Sequence, residues 1–180
     1  MQVERLLNDV LLITPKVFQD HRGHFFESFR DDIFTEYCNE KIVFVQDNQS
    51  LSNKGILRGL HFQNPPHAQG KLVRVVKGAV IDVAVDIRKN SINYGKYVAV
   101  ELSETNFNML FVPPGFAHGF VTLEDQTIFN YKCTDYYHPE SESGIAWDSQ
   151  SLNINWGISD PILSQKDLNN IDFDSFNSPF

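Results

Sequence analysis

A succession of short strand-like segments, with very little helix-forming sequence between them, is the feature that most constrains the fold of this chain. Branched and aromatic residues favour strands, and the proline, glycine and asparagine clusters that separate these segments favour turns. About eight such segments follow one another without the alternating helices of a βαβ pattern. The sequence therefore predicts an all-β sandwich or barrel.

Residues 79–87 are the clearest of these segments, because apolar and less apolar side chains alternate along them. Ile81 and Val83 fall on one face of the predicted strand, and Asp82 falls on the other. If the second face lines a cavity, Asp82 can orient a neighbouring histidine or arginine. The commoner alternative is a carboxylate that faces solvent. Other strands are predicted at residues 10–17, 42–45, 97–102, 109–112 and 127–134, and short helices at residues 31–38 and after Ser164.

The stretch 55–78 contains two more strand-like runs, 56–62 and 72–76. A proline pair and a glycine interrupt regular structure between them. We therefore predict that the two runs form a hairpin.

Three side chains of this stretch suggest chemistry, namely Arg58, His61 and Lys71. A histidine that titrates near neutral pH, with a cation on each side, can bind an anion and transfer a proton. A solvated basic face is the alternative. Arg58 and His61 are three residues apart, so a regular strand would direct them to opposite faces. We predict that Gly59 marks a bulge that turns both side chains into one cavity.

Composition limits the kind of protein this can be. The chain has 180 residues, of which 42% are hydrophobic, and this suits a single domain over residues 1–180. Its formal net charge of −8 argues against nucleic-acid binding, since phosphate contacts need a basic surface. Cys38 and Cys133 match no zinc-binding spacing, and no apolar run is long enough to cross a membrane. These features indicate a reducing cytoplasm rather than secretion or membrane insertion.

Six motifs occur along the chain, in the order DHRGHFFESF, QDNQS, RGLHFQ followed by Lys71, PPGFAHGF, YKCTDYY and LSQKD. Together they cover nearly the whole sequence, which resembles the dTDP-4-dehydrorhamnose 3,5-epimerases of the cupin superfamily. The resemblance implies a cupin-type antiparallel jelly roll with short peripheral helices, and a homodimer. This expectation agrees with the strand-rich pattern of the sequence.

The resemblance also implies a cytoplasmic isomerase that needs no cofactor and no metal. Such an enzyme converts dTDP-4-dehydro-6-deoxy-D-glucose to dTDP-4-dehydro-L-rhamnose by inverting C3 and C5. Its dTDP-sugar product supplies rhamnose for lipopolysaccharide or other cell-surface polysaccharides. Both carbons lie beside the C4 ketone, so a base can remove each proton if the enolate oxygen is stabilised and an acid returns a proton.

Four residues match the catalytic positions of that family. They are His61 as the base, Asp167 as the carboxylate that orients it, Tyr131 as the proton donor and Lys71 beside the C4 oxygen. Structural roles are the alternatives, as part of a helix cap for Asp167 and as a buried core histidine for His118. The matching substrate-binding positions are Arg22, Glu27, Gln46, Asp47, Asn48, Arg58, Lys71, His118, Glu142 and Lys166, with Tyr137 stacking on thymine.

Three other functions are compatible with parts of this pattern. The first is a metal-dependent oxygenase or isomerase, because many cupins hold a metal through a His-x-His pair. Here Gln63 replaces the second histidine, and His61 and His118 are too few ligands for a stable site. A non-catalytic sugar-nucleotide-binding module would not need a base and an acid together. Relatives that epimerise one carbon of related dTDP-4-keto-6-deoxysugars use the same base and acid, so the motifs do not separate them from a 3,5-epimerase.

Overall fold

A computed structural model gives the fold of residues 1–38 and 40–180. The strands are β1 Gln2–Leu6, β2 Val10–Thr14, β3 Phe18–Asp20, β4 Gly23–Phe25, β5 Gln46–Ser52, β6 Leu57–Gln63, β7 Lys71–Lys77, β8 Ala79–Asp86, β9 Tyr97–Ser103, β10 Met109–Val112, β11 Phe116–Thr122, β12 Thr127–Cys133 and β13 Glu142–Gly144. The helices are α1 Asp31–Cys38 and α2 Gln165–Leu168, and single 3₁₀ turns cover Pro139–Ser141 and Phe173–Ser175. In this part of the chain, no helix has the length and apolar character needed to cross a membrane.

Most of the strands form two antiparallel sheets that pack face to face. One sheet has six strands in the order β1-β2-β10-β7-β12-β5, and the other has five in the order β13-β6-β11-β8-β9. Strands β3 and β4 form a separate two-stranded sheet. Most neighbours within the two large sheets are distant in sequence, as in a jelly roll. The all-β jelly roll with short helices that the sequence predicts is therefore confirmed.

Apolar side chains from both sheets fill the space between them. Val73 and Phe129 of the six-stranded sheet pack with Ala84 and Phe120 of the five-stranded sheet. The outer face of the six-stranded sheet is covered by α1 through its buried residue Phe34. The C-terminal part of the chain covers the outer face of the five-stranded sheet. Both sheets are thus packed on two faces, which holds the side chains between them in fixed positions.

Several predicted elements are confirmed. Helix α1 has the predicted bounds, with acidic residues in its first turn, where they favour the helix dipole. Strand β8 alternates as expected, since Val83 packs toward the C-terminal part of the chain while Ala84 faces the opposite sheet. The strands predicted at residues 10–17, 97–102, 109–112 and 127–134 are present as β2, β9, β10 and β12.

Two predictions are wrong. The runs 56–62 and 72–76 do not form a hairpin, because they belong to different sheets: β6 pairs with β11 and β13, whereas β7 pairs with β10 and β12. The connection between them carries the chain from one sheet to the other. Residues 42–45 are an irregular segment rather than a strand. Phe44 packs edge-on against Phe34 and Phe111, and the backbone N–H of Val45 donates to the carbonyl of Cys133 where the segment meets the sheet. Regular strand structure begins at Gln46, the first residue of β5, whose sequence is more polar than that of residues 42–45.

Candidate active site

Two adjoining cavities lie between the sheets, with volumes of about 510 Å³ and about 320 Å³. His61, Lys71 and Tyr131 line both of them, so these side chains stand where the cavities meet. Most of the residues predicted for the site lie around this space. The larger cavity is also lined by Arg58, His118, Lys166 and Asp167, and the smaller by Gln46, Asn48, Tyr137 and Glu142.

An irregularity in β6 brings Arg58 and His61 to the same cavity. The two residues are three positions apart, but their partners in β11 are only two apart, so β6 contains one extra residue. Gly59 lies in this interval with a φ of +136°, a conformation that glycine adopts readily. The bulge predicted at Gly59 is therefore confirmed, and both side chains line the larger cavity.

His61 forms a close pair with Asp167, which lies 106 residues further along the chain. Nε2 of His61 is 2.5 Å from Oδ1 of Asp167, whose side chain is only 4% exposed. Ser164 caps α2 by accepting a hydrogen bond from the backbone N–H of Asp167, and its hydroxyl donates to Oδ2 at 2.7 Å. Asp167 therefore takes part in the helix cap and also contacts His61.

The environment of Asp167 keeps it charged. Burial raises the pKa of Asp167. Hydrogen bonds from His61 and Ser164, the charge of His61 and the backbone N–H of Gly59 together lower it by a larger amount, so the pKa lies below its usual range. The carboxylate is ionised at neutral pH and can stabilise a positive charge on His61.

Tyr131 and Lys71 extend from the six-stranded sheet, opposite His61. Burial raises the pKa of Tyr131, and the nearby Cys133 and Glu142 raise it further, so the phenol keeps its proton at neutral pH. Burial lowers the pKa of Lys71, and the nearby acidic groups of Cys133, Glu142 and Asp82 offset only part of this decrease. A paired histidine, a protonated phenol and a half-buried amine can remove a proton beside a carbonyl, stabilise the enolate and return a proton.

His118 lines the larger cavity from β11 and is paired with Asp82 of β8. Its Nε2 lies 2.9 Å and 3.1 Å from the two carboxylate oxygens, and both side chains are buried. Asp82 thus contacts a histidine of the cavity wall, which confirms the prediction that it orients a neighbouring histidine or arginine. The alternative, a solvent-facing carboxylate, is wrong.

A series of polar contacts joins the smaller cavity to α2. The hydroxyl of Tyr137 donates to Oε2 of Glu142 at 2.5 Å, and Lys166 forms an ion pair with the same oxygen. The backbone N–H of Tyr137 donates to Gln46, whose amide in turn donates to Asn48 at 3.0 Å. These contacts hold an exposed aromatic ring at the cavity mouth, next to amide groups that can bind a polar ligand.

Strand β5 separates the predicted residues of its motif between two faces. Gln46 and Asn48 face the smaller cavity, whereas Asp47 points away and pairs with Lys132 at 2.7 Å. Ser50 continues the inward face and lines the larger cavity. Its Oγ is buried without a hydrogen-bond partner among the described residues. The sequence prediction omitted Ser50, although the period of two along this strand could have indicated it.

Arg22 and Glu27 lie away from both cavities of their own chain. Arg22 is in the turn between β3 and β4, highly exposed, with its guanidinium 2.6 Å from Asp20. Glu27 follows β4 and is 3.4 Å from Arg30. The structure of one chain therefore does not bring these two predicted residues to the site.

One cluster among the described residues has the side chains for a metal ion, namely His67, Asp135 and His138, with ligand atoms within 4.8 Å of one another. The two imidazole rings stack with centroids 3.5 Å apart and planes 16° apart. The in-plane lone pairs of the two rings therefore lie in two separate, nearly parallel planes, which is a poor arrangement for binding one ion. We assign no metal to this cluster, which is outside the cavity lining.

Residues 4–175 match the family model described as dTDP-4-dehydrorhamnose 3,5-epimerase. The chain belongs to this family. The 3,5-epimerase of Shigella flexneri is 54% identical to it over 161 residues, which are 89% of this chain and 89% of the relative. The family resemblance seen in the six motifs is therefore confirmed.

Solved structures of epimerases are also similar to this member of the family. The dTDP-6-deoxy-D-glucose-3,5-epimerase of Legionella pneumophila Philadelphia 1, in complex with dTDP-4-keto-L-rhamnose, matches with a TM-score of 0.93 and 43% identity, covering 98% of this chain and 94% of that chain. A 3′-monoepimerase from Streptomyces bikiniensis, in complex with dTDP-quinovose, matches with a TM-score of 0.87 and 29% identity, covering 91% and 83%. The Shigella and Legionella 3,5-epimerases are each more similar in sequence to this chain than the monoepimerase is.

Proposed function

We propose that this chain is an isomerase that converts dTDP-4-dehydro-6-deoxy-D-glucose to dTDP-4-dehydro-L-rhamnose by inverting C3 and C5. The observation that carries the proposal is the convergence of His61, Tyr131 and Lys71 on one cavity, in a chain of the 3,5-epimerase family. The dTDP-4-keto-L-rhamnose complex of the Legionella relative supports a dTDP-sugar as the substrate.

His61 is the base in this mechanism. It removes the proton from C3 or C5, and the negative charge moves to the C4 oxygen as an enolate. Nε2 contacts Asp167, so Nδ1 is the atom that takes the proton. The carboxylate then stabilises the imidazolium. Since C3 and C5 both adjoin C4, one base serves both carbons.

Lys71 and Tyr131 complete the reaction from the opposite sheet. The ammonium group of Lys71 stabilises the enolate oxygen, and partial burial makes this interaction stronger than in water. The phenol of Tyr131, whose pKa is raised by burial, keeps its proton until the strongly basic enolate carbon takes it. Inversion follows because the base and the acid act on opposite faces of the sugar ring.

The nucleotide belongs in the smaller cavity and its mouth, where Tyr137 can stack on thymine while Gln46 and Asn48 form hydrogen bonds. Arg58 and Lys166 line the neighbouring space and suit the diphosphate, because charge-assisted hydrogen bonds to phosphate oxygens are strong. The remaining substrate contacts in this proposal come from Glu142 and His118.

The enzyme acts as a homodimer in this proposal, with Arg22 and Glu27 reaching the cavity of a second copy. Their distance from the cavities of their own chain supports this arrangement. So does the β3–β4 sheet beside them, which exposes 53% of Phe18 and 65% of Phe25. Adjacent exposed aromatic side chains of this kind are typical of contact surfaces.

The setting of the reaction is part of the same proposal. Residues 1–180 act as one epimerase domain, without a cofactor, and the product supplies rhamnose for cell-surface polysaccharide. The free thiols of Cys38 and Cys133 favour a reducing compartment such as the cytoplasm.

A single-centre epimerase is the second candidate, since the monoepimerase from Streptomyces bikiniensis has a similar fold. Incubation with dTDP-4-dehydro-6-deoxy-D-glucose in deuterated water, without added metal, separates the two when C3 and C5 are followed by NMR. We expect deuterium at both carbons with the rhamno configuration. Label and inversion at one carbon would indicate a single-centre epimerase. Exchange at neither carbon would contradict both and favour a binding module.

A further inference from the structure

Asp82 is a fully buried carboxylate directly behind the wall of the larger cavity. Its side chain is 0% exposed, on the inner face of β8 between the core residues Val80 and Ala84. Burying a carboxylate costs far more free energy than burying an apolar side chain, unless the charge is paired. A position that served only the core would therefore favour an apolar residue.

The partner of Asp82 is His118. Both carboxylate oxygens lie within 3.1 Å of Nε2 of His118, which is the only side-chain hydrogen-bond partner of Asp82 among the described residues. Burial raises the pKa of Asp82 above its usual range, and the charge and hydrogen bond of His118 and the charge of Lys71 offset only part of this rise. The carboxylate is thus tied to two groups that line the cavity.

This contact leaves Nδ1 of His118 for the cavity. His118 lies directly opposite His61 in the β6–β11 pairing, and Lys71 lines the same space. Nδ1 has no hydrogen-bond partner in the described part of the chain. The polar side-chain atoms that are both fully buried and without a partner there are Oγ of Ser50 and Nδ2 of Asn170, so Nδ1 of His118 is not fully buried. Nδ1 of His118 is therefore open to the cavity, beside the base and the amine.

We propose that Asp82 is a positioning residue for the epimerisation: it holds His118 so that Nδ1–H donates a hydrogen bond to the C4 oxygen of the sugar, alongside Lys71. The proposal rests on the function proposed above. A buried carboxylate on Nε2 favours the imidazolium, in which Nδ1 also carries a proton. The enolate oxygen then accepts two charge-assisted hydrogen bonds instead of one, without any transfer of the Nδ1 proton.

Asp86 offers a matched control for the first test. It is also 0% exposed and on the same face of β8, but it contacts Arg88 and Ser91. We expect Asp82→Asn to lower kcat by about 10²-fold, the typical loss for one oxyanion donor, while KM and the affinity for dTDP stay unchanged. Asp86→Asn should lower thermal stability and keep the kcat of the wild type. A kcat for Asp82→Asn equal to that of Asp86→Asn would overturn the proposal.

A double variant tests whether Asp82 acts through His118. In a His118→Ala background, Asp82→Asn should change kcat by less than about threefold, because residues that act as a unit are not additive. A further loss of about tenfold or more would show that the carboxylate acts elsewhere, and would overturn the positioning role.

A third measurement needs no turnover and so separates this proposal from the assignment of the substrate. ¹⁵N NMR of the histidine rings in the substrate-free enzyme reports which nitrogens carry protons, and the His118→Ala spectrum identifies the signals of His118. We expect the ring of His118 to carry more positive charge in the wild type than in Asp82→Asn, because the carboxylate against Nε2 stabilises the imidazolium. Identical protonation in the two proteins would contradict the proposal, whether or not the enzyme epimerises the proposed sugar.

Discussion

Replacing Gly59 by alanine tests whether the bulge in β6 depends on a close approach of two backbones. A Cβ at this position would lie 2.5 Å from Cα of Gly119 and 3.0 Å from the carbonyl oxygen of His118, and neither atom can move without its strand. Overpacking of this kind costs about 1–3 kcal/mol. The φ of +136° costs alanine about 1–3 kcal/mol more. The free energy of unfolding should therefore fall by about 2–6 kcal/mol.

Gly23 provides the matched control. Its φ of +129° is similar, but a Cβ there would meet nothing within 4 Å. Gly23→Ala should lose only the backbone contribution, about 1–3 kcal/mol. Urea titrations followed by the fluorescence of Trp147 and Trp156 measure both variants. Equal losses in the two variants would refute the reasoning, because the steric contribution at Gly59 would then be absent.

The same substitution should also reduce activity. The backbone N–H of Gly59 contacts Asp167, so a shift of β6 displaces His61 and its partner together. A misplacement of about 1 Å can cost about 10²-fold in rate, and we expect a loss of this size in kcat/KM. Gly157→Ala, at a positive φ with open space around it, should keep the kcat/KM of the wild type. An unchanged kcat/KM in Gly59→Ala would contradict the role of the bulge.

Three further variants test the catalytic assignments. His61→Ala should lower kcat by about 10³-fold and still bind dTDP in calorimetry, because a base affects the barrier more than the nucleotide contacts; wild-type turnover would exclude His61 as the base. Tyr131→Phe should still take up solvent deuterium while inversion at C5 fails by NMR, since only the phenol hydroxyl is removed; inversion at the normal rate would exclude Tyr131 as the donor. Asp167 has a lowered pKa, so its charge stabilises the fold above its unfolded pKa of about 3.9, and this stability is lost as the pH falls through the folded value. The difference in unfolding free energy between wild type and Asp167→Asn should therefore shrink as the pH falls below about 4, and a difference that stays the same from about pH 5 to the lowest pH at which the protein is folded would contradict this.

Local patterns predicted much of the secondary structure. The acidic start and apolar face of α1 are contained within eight consecutive residues, so its bounds could be predicted. The alternation of β8 is local in the same way. The false hairpin at 56–76 shows the limit, because proline and glycine mark an interruption without telling which strands pair across it. The pairing partners of β6 and β7 come from residues 109–144, far along the chain.

The sequence also predicted most side chains of the site but not their arrangement. The sequence motif predicts Asp47 at the site together with its neighbours Gln46 and Asn48, yet the pleat of β5 turns Asp47 to the other face. The motif around Arg22 likewise predicts it at the site, although its own chain places it away from the cavities. Neighbours in a motif need not be neighbours in a site.

By itself, the sequence determined the all-β class and the family, because these depend on composition, short-range periodicity and the order of motifs. Only the tertiary structure decided that His61 meets Asp167 across 106 residues and that His118 meets Asp82 across 36. Those contacts depend on which strands become neighbours and on the bulge at Gly59. The energy that selects them comes from packing between distant segments, which no local stretch of sequence contains.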